Sequence, residues 1–139
     1  MTVSDCVLGS HTLSVDDARH TISVKNTTAA AAAISNGVNQ LRAISSLCNA
    51  ANFDVSCTDE PIDKRRTFGD ATDSAILRFA ETVEDGGVAY FRACWRRTFE
   101  LAFNSKNKFM IRCFTIGRPE ALGKTLTAQD AAQFQNTDL

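Results

Sequence analysis

The chain has 139 residues and a formal net charge of −1, with 44% hydrophobic and 22% charged residues. This size and balance are ordinary for one globular domain. No run approaches the roughly 18 apolar residues of a membrane span, and the N-terminus lacks the basic start and apolar core of a signal peptide. We therefore expect a soluble cytoplasmic protein that is not secreted and has no membrane contact.

The first predicted element is a β-hairpin within residues 1–26. Leu13 and Val15 alternate with polar residues, as do Ile22 and Val24, and the polar DDAR segment connects the two runs. Strict alternation is typical of strands with one buried face and one exposed face. The spacing therefore predicts two short antiparallel strands here.

Two helices with clear caps are predicted next. The first begins at Thr27 or Thr28 and ends near Cys48, because its alanines favour a helix and its apolar residues recur at helical spacing. The alternating segment FDVSC after it indicates a short strand. The second helix is capped by Asp70 and ended by Gly86.

The segment VAYFRACWRRTFELAF indicates the clearest helix of the chain. Its apolar residues recur at helical spacing from Val88 to Phe103. Arg96 and Glu100 lie four residues apart, so we expect them to pair on one helix face. The near-continuous apolar run KFMIRCFTI that follows has the length of a strand.

These elements predict an α+β fold that is mainly helical. Three or four helices would pack with a small antiparallel hairpin or sheet. We expect a single domain over residues 1–139, made of a hairpin region (1–26), a helical core (27–118) and a tail (119–139).

The charge is distributed unevenly along the chain. Residues 86–124 hold eight Lys and Arg against two Asp and Glu, whereas residues 1–85 hold seven against twelve. A basic segment rich in aromatic residues is expected of a surface for an anionic partner. The alternative is that oppositely charged segments meet within the fold or between subunits, and the sequence leaves both open.

The break NSKNK carries the most specific candidates. Lys106 and Lys108 stand between a predicted helix and an apolar run, so both ammonium groups lie at the end of a rigid element, where they can bind a backbone phosphate. A solvated connector is the alternative. With the nearby arginines they form the predicted nucleic-acid-binding set: Lys106, Lys108, Arg112, Arg92, Arg96 and Arg97.

Other motifs do not indicate catalysis. The stretch GRPEALGKT, from Gly117 to Thr125, has five residues where a P-loop has four between its first Gly and the GKT group. His11 and His20 lack the close ligand spacing of a structural metal site, and the five cysteines show no CxxC pair, as expected of free thiols. We predict no catalytic residue, metal or cofactor, and an enzyme is the least favoured class.

The stretch LAFNSKNKFMI resembles a segment of the coat proteins of rod-shaped, tobamovirus-like plant viruses. In that family a helix ends at an Ala-Phe pair, and two basic residues two apart contact genomic RNA. LCNAANF and ILRFA resemble upstream segments in the same order, so the resemblance covers residues 41–114. The family's C-terminal Arg-Arg…Asp-Asp-Ala-Thr stretch has no counterpart after the lysines. Only Lys106 and Lys108 therefore carry over as RNA contacts.

The leading hypothesis is a self-assembling, coat-like structural protein. It would be a homo-oligomer that binds the backbone of single-stranded RNA through residues 86–118, in the cytoplasm or in a virion-like particle. The alternative is a small protein-binding or assembly-adaptor module without nucleic acid. In that case the acidic N-terminal half of one subunit would meet the basic half of another.

Overall fold

A computed structural model describes residues 1–25 and 28–117. Within them, four helices and three two-stranded antiparallel sheets confirm the predicted α+β class. The described residues fall into two compact units, divided between Ala89 and Tyr90. The single domain predicted over the whole chain stays a prediction, and the predicted tail and the P-loop-like stretch after Gly117 lie outside the described residues.

The elements follow one another closely along the chain. In order they are β1 (Asp5–Leu8), β2 (His11–Ser14), α1 (Val15–Ser23), α2 (Ala29–Leu47), β3 (Asn52–Phe53), a 3₁₀ turn (Val55–Cys57), β4 (Thr67–Phe68), α3 (Ala71–Val83), α4 (Gly87–Cys94), β5 (Trp95–Leu101) and β6 (Ile111–Ile116). β1 pairs with β2, β3 with β4 and β5 with β6, all antiparallel. In the described part of the chain, no helix combines the length and apolar content that crossing a bilayer requires.

The predicted N-terminal hairpin is misplaced, because α1 stands where its second strand was expected. The Ser14 hydroxyl accepts the N–H of Asp17 at 3.1 Å, and the Asp17 carboxylate accepts the N–H of Ser14 at 3.2 Å. This capping box starts a helix. Val15, Ala18 and Ile22 then fall on one helical face, and β1 and β2 form the hairpin instead.

The helices predicted around residues 28–48 and 70–85 are confirmed. Thr28 caps α2 by accepting the N–H of Ala31 at 3.2 Å, and Asp70 caps α3 by accepting the N–H of Asp73 at 2.8 Å. Each cap satisfies an N–H that has no partner within its helix. The two helices supply most of the buried side chains of the first unit, in two clusters: Cys6, Ala18, Val38, Phe79 and Val83, and Ala51, Leu77, Ala80 and Val88.

The helix predicted from Val88 to Phe103 is correct only in its first half. It ends at Cys94, β5 occupies residues 95–101, and Ala102 and Phe103 follow the strand. Trp, Thr and Phe favour strands, and β6 forms the antiparallel hydrogen-bonded pair with this segment. The pairing shifts register around Thr98, which interrupts the alternation of faces along β5. The alternation of apolar and polar residues that is typical of a strand is therefore not visible in the sequence of β5.

A buried carboxylate in α3 holds the turn that leads into α4. The Glu81 side chain accepts the N–H of Gly86 at 2.9 Å and that of Val88 at 3.1 Å, and it lies 3.2 Å from the Arg65 guanidinium. Arg65 also reaches Asp85 at 3.4 Å. Glu81 thus satisfies N–H groups at the start of α4 that no helical carbonyl can reach.

Replacing Glu81 by Ala is expected to lower the free energy of unfolding by about 3 kcal/mol, because it leaves the buried N–H of Val88 without its acceptor and removes the buried carboxylate that pairs with Arg65. Asp85→Ala is the matched control, since Asp85 contacts the same arginine but is 73% exposed in its side chain. Its effect should stay within about 0.5 kcal/mol. Urea denaturation measures both, and equal shifts of the two midpoints would contradict the role given to Glu81.

Candidate functional site

β5 and β6 form a hairpin that presents a loop at its end. The last paired residues are Leu101 and Ile111, so the loop spans residues 102–110. Residues 101–109 are all exposed. The loop that carries the two predicted lysines is therefore the tip of a β-hairpin, not the end of a helix.

Asn104 closes the turn at this tip with two of its oxygens. Its side-chain Oδ1 accepts the N–H of Lys106 at 2.8 Å, and its main-chain carbonyl accepts the N–H of Lys108 at 2.7 Å. Lys108 adopts a φ of 63°, and among the described residues it is alone among non-glycine residues in having a positive φ. This conformation costs a non-glycine residue on the order of 1 kcal/mol, and such strain is concentrated at functional sites.

Aromatic rings flank the turn on both sides. Phe103 is 61% exposed and Phe109 is 48% exposed. A large ring normally gains free energy by leaving water, so two exposed rings beside one turn indicate a surface that receives a partner or ligand. Lys106 and Lys108 lie between them, and neither forms an ion pair within residues 1–25 and 28–117.

One face of the hairpin extends this apolar surface toward the tip. Leu101 pairs with Ile111, and Phe99 pairs with Cys113 two residues further from the loop. Alternate residues of a strand share a face, and all four of these side chains are exposed. The rings at the tip therefore continue a strip of exposed apolar side chains.

The other face carries an ion-pair cluster around Glu100. The Glu100 carboxylate lies 2.9 Å from the Arg112 guanidinium across the strands and 2.7 Å from that of Arg97. The hydrogen bond from Arg112, together with the charges of Arg112 and Arg97, lowers the pKa of Glu100. The predicted pairing of Glu100 with Arg96 is wrong, because it assumed a helix where the chain forms a strand.

The predicted cations therefore lie in different environments. Arg97 and Arg112 are engaged by Glu100, and the side chain of Arg112 is only 9% exposed. Arg92 is half-buried in α4, and its pKa is lowered by burial first and then by the charges of Arg112 and Arg97. Arg96 is exposed in β5.

Of the six residues predicted to bind nucleic acid, the turn brings together only Lys106 and Lys108. Sequence reasoning missed three of their neighbours. Phe103 was predicted at the end of a helix and Phe109 in an apolar strand, and Asn104 was not among the predicted site residues. The pattern FNSKNKF, an Asn-containing turn with an aromatic residue at each end, was the available signal.

Comparison with known proteins identifies the family. The sequence model of the cation ATPase family, described as P-type ATPase, cytoplasmic domain N, matches residues 37–133, more than half of the chain. The chain belongs to this P-type ATPase N-domain family. The matched region contains α3, α4 and the whole β5–β6 hairpin.

Individual P-type ATPases are also similar to this chain. It is 38% identical over 77 residues to the sodium/potassium-transporting ATPase subunit alpha-A of Artemia franciscana, which is 55% of this chain and 8% of that protein. It is 37% identical over 79 residues to the human potassium-transporting ATPase alpha chain 2, or 57% of this chain and 8% of that protein. The chain thus spans less than a tenth of the length of these relatives.

The family overturns several predictions. The resemblance to viral coat proteins is wrong, as are the coat-like RNA-binding function, the partners (homo-oligomer and single-stranded RNA) and the expectation of a non-enzyme, because the chain matches ATPases. The resemblance rested on an Ala-Phe pair and spaced lysines at a helix end. In the structure this segment is the tip of a β-hairpin.

Replacing Arg112 by Gln is expected to raise the pKa of Glu100 toward its ordinary value of 4.5, because the largest cause of the lowered pKa is removed. The lowered pKa also means that Glu100 stabilises the fold above pH 4.5, and that this contribution is lost as the pH falls through the folded-state pKa. An NMR titration of the Glu100 carboxyl carbon measures the pKa. Arg96→Gln, which removes an exposed cation from the same strand, should leave it unchanged; an equal rise in both variants would contradict the pairing.

Proposed function

We propose that this chain forms part of the nucleotide-binding region of a cation-transporting P-type ATPase, and that the tip of the β5–β6 hairpin binds ATP. The family description and the names of the relatives support an ATPase that transports cations. The observation that carries the site is the turn itself, where an exposed aromatic ring adjoins two lysines that form no ion pair with any other described residue. The cytoplasmic location named in the family description is proposed for this chain as well.

The chemistry of the tip suits the two halves of ATP. An exposed ring offers a flat apolar face for the adenine, and stacking of a base on an aromatic side chain contributes about 1–3 kcal/mol. Ammonium groups bind phosphate oxygens through charge-assisted hydrogen bonds, which are stronger than neutral ones. Phe103 is the more exposed of the two rings and directly precedes Asn104, so we assign the adenine to Phe103 and the phosphates to Lys106 and Lys108.

We assign the tip to binding and not to hydrolysis. The loop sequence AFNSKNKFM, residues 102–110, contains no carboxylate, imidazole or thiol that could act as a general base or nucleophile. Its ring and its cations are groups that hold a nucleotide. Cation transport and ATP hydrolysis by the longer protein are proposals that rest on the relatives' names.

Phe103→Ala is expected to weaken ATP binding about tenfold, because the stacking surface is lost. Lys108→Gly is expected to weaken it about fivefold by removing one ammonium–phosphate contact. The same Lys108→Gly change should raise the urea midpoint slightly, because glycine adopts a positive φ without strain. Isothermal titration calorimetry of the 139-residue chain with ATP measures the affinities.

Arg96→Ala is the matched control, since it removes an exposed cation from the same hairpin at a distance from the loop. It should leave the affinity for ATP within about twofold of the parent chain. If Arg96→Ala weakens binding as much as Lys108→Gly does, ATP is responding to general positive charge and the assigned site is incorrect.

A further inference from the structure

We infer that Asn104 is a positioning residue for the phosphates of the bound nucleotide: it holds the turn that sets the backbone positions of Lys106 and Lys108. This inference rests on the proposed function. Asn104 itself need not touch the nucleotide. It acts through the two lysines, and its contribution is to order them before the ligand arrives.

Two hydrogen bonds within the turn assign the positioning role to Asn104. Asn104 accepts the N–H of Lys106 with its side chain and the N–H of Lys108 with its carbonyl, at 2.8 and 2.7 Å. An Asn side chain reaches an N–H two residues ahead without strain, which makes a turn of the kind found here. Removing the side-chain oxygen frees the backbone at Lys106 and loosens the turn that also contains Lys108.

Little else holds the loop in place. Residues 101–109 are exposed, so no packing against a core fixes their conformation. Without the bond to Asn104, the lysines would sample many conformations, and ordering them on binding would reduce the affinity. The strained φ of Lys108 makes this dependence stronger, because an unrestrained lysine relaxes to a negative φ.

The presence of Asn rather than Asp at position 104 also indicates the charge of the ligand. Asp is at least as good an acceptor as Asn in such turns, and it would form the same bond with Lys106. Its negative charge, however, would lie beside the phosphates and repel them. A neutral acceptor that closes the turn and leaves the tip positive suits an anionic ligand, and the loop has no acidic residue at all.

The test compares ATP with adenosine, which has the same base and no phosphates. Both are titrated into the 139-residue chain and its variants, and NMR chemical shifts report the affinities even when binding is weak. Asn104→Ala should weaken ATP binding about fivefold, the factor of one lost hydrogen bond, and leave adenosine binding unchanged. Asn104→Ser, which keeps a weaker side-chain acceptor, should recover most of the ATP affinity.

Two further variants complete the comparison. Asn104→Asp should keep the turn and bind adenosine normally, but bind ATP more weakly, most clearly at low salt. Asn107→Ala is the matched control, because Asn107 lies in the same loop and its side chain forms no hydrogen bond within the described residues. It should match the parent chain for both ligands.

The outcomes separate the two proposals. If Asn104→Ala weakens ATP and adenosine equally, or neither, while Lys108→Gly still weakens ATP, Asn104 is not a positioning residue and the proposed function stands. If the parent chain binds neither ligand, the proposed function fails and this inference fails with it. Should Asn104→Ala unfold, as judged from its NMR spectrum, Asn104→Ser decides the question: a modest loss of ATP affinity with unchanged adenosine affinity supports the inference, and no loss, or an equal loss for both ligands, contradicts it.

Discussion

The antiparallel pairing of β5 with β6 is the constraint from which the candidate site follows. It sets Glu100 opposite Arg112 on one face and aligns Leu101 with Ile111 on the other, so the loop must start and end at those residues. The register shift near Thr98 brings Arg97 onto the side of Glu100. Two cations are thereby engaged within the hairpin, while the cations of the loop remain exposed.

The tip concentrates features that a stable surface would avoid. A lysine with a positive φ, exposed aromatic rings and neighbouring like charges each cost free energy in the isolated chain. All of them suit a ligand that combines a flat aromatic base with phosphate groups. The buried Glu81 and the N-cap of α3 show the opposite character, because each accepts hydrogen bonds from N–H groups at the start of a helix.

The sequence was informative where local signals and packing agreed. The caps at Thr28 and Asp70 correctly predicted α2 and α3, and the apolar run before Gly117 correctly predicted β6. The capping box at Ser14 was equally local, but the alternation around it was interpreted as a strand. β5 could not be predicted from its own residues, because a bulge hides its period and its partner lies beyond the loop.

The functional error has a chemical cause: aromatic rings beside lysines suit RNA and ATP alike, since both combine bases with phosphates. The family match, not the residue pattern, distinguishes the two.

The most direct test of this account is an amide NMR spectrum of the 15N-labelled 139-residue chain during a titration with ATP. The account predicts saturable shifts that are largest at Phe103, Asn104, Lys106 and Lys108 and that spread into the ends of β5 and β6. Shifts confined to residues 1–89, or none at saturating ATP, would contradict the claim that the hairpin tip is the nucleotide site.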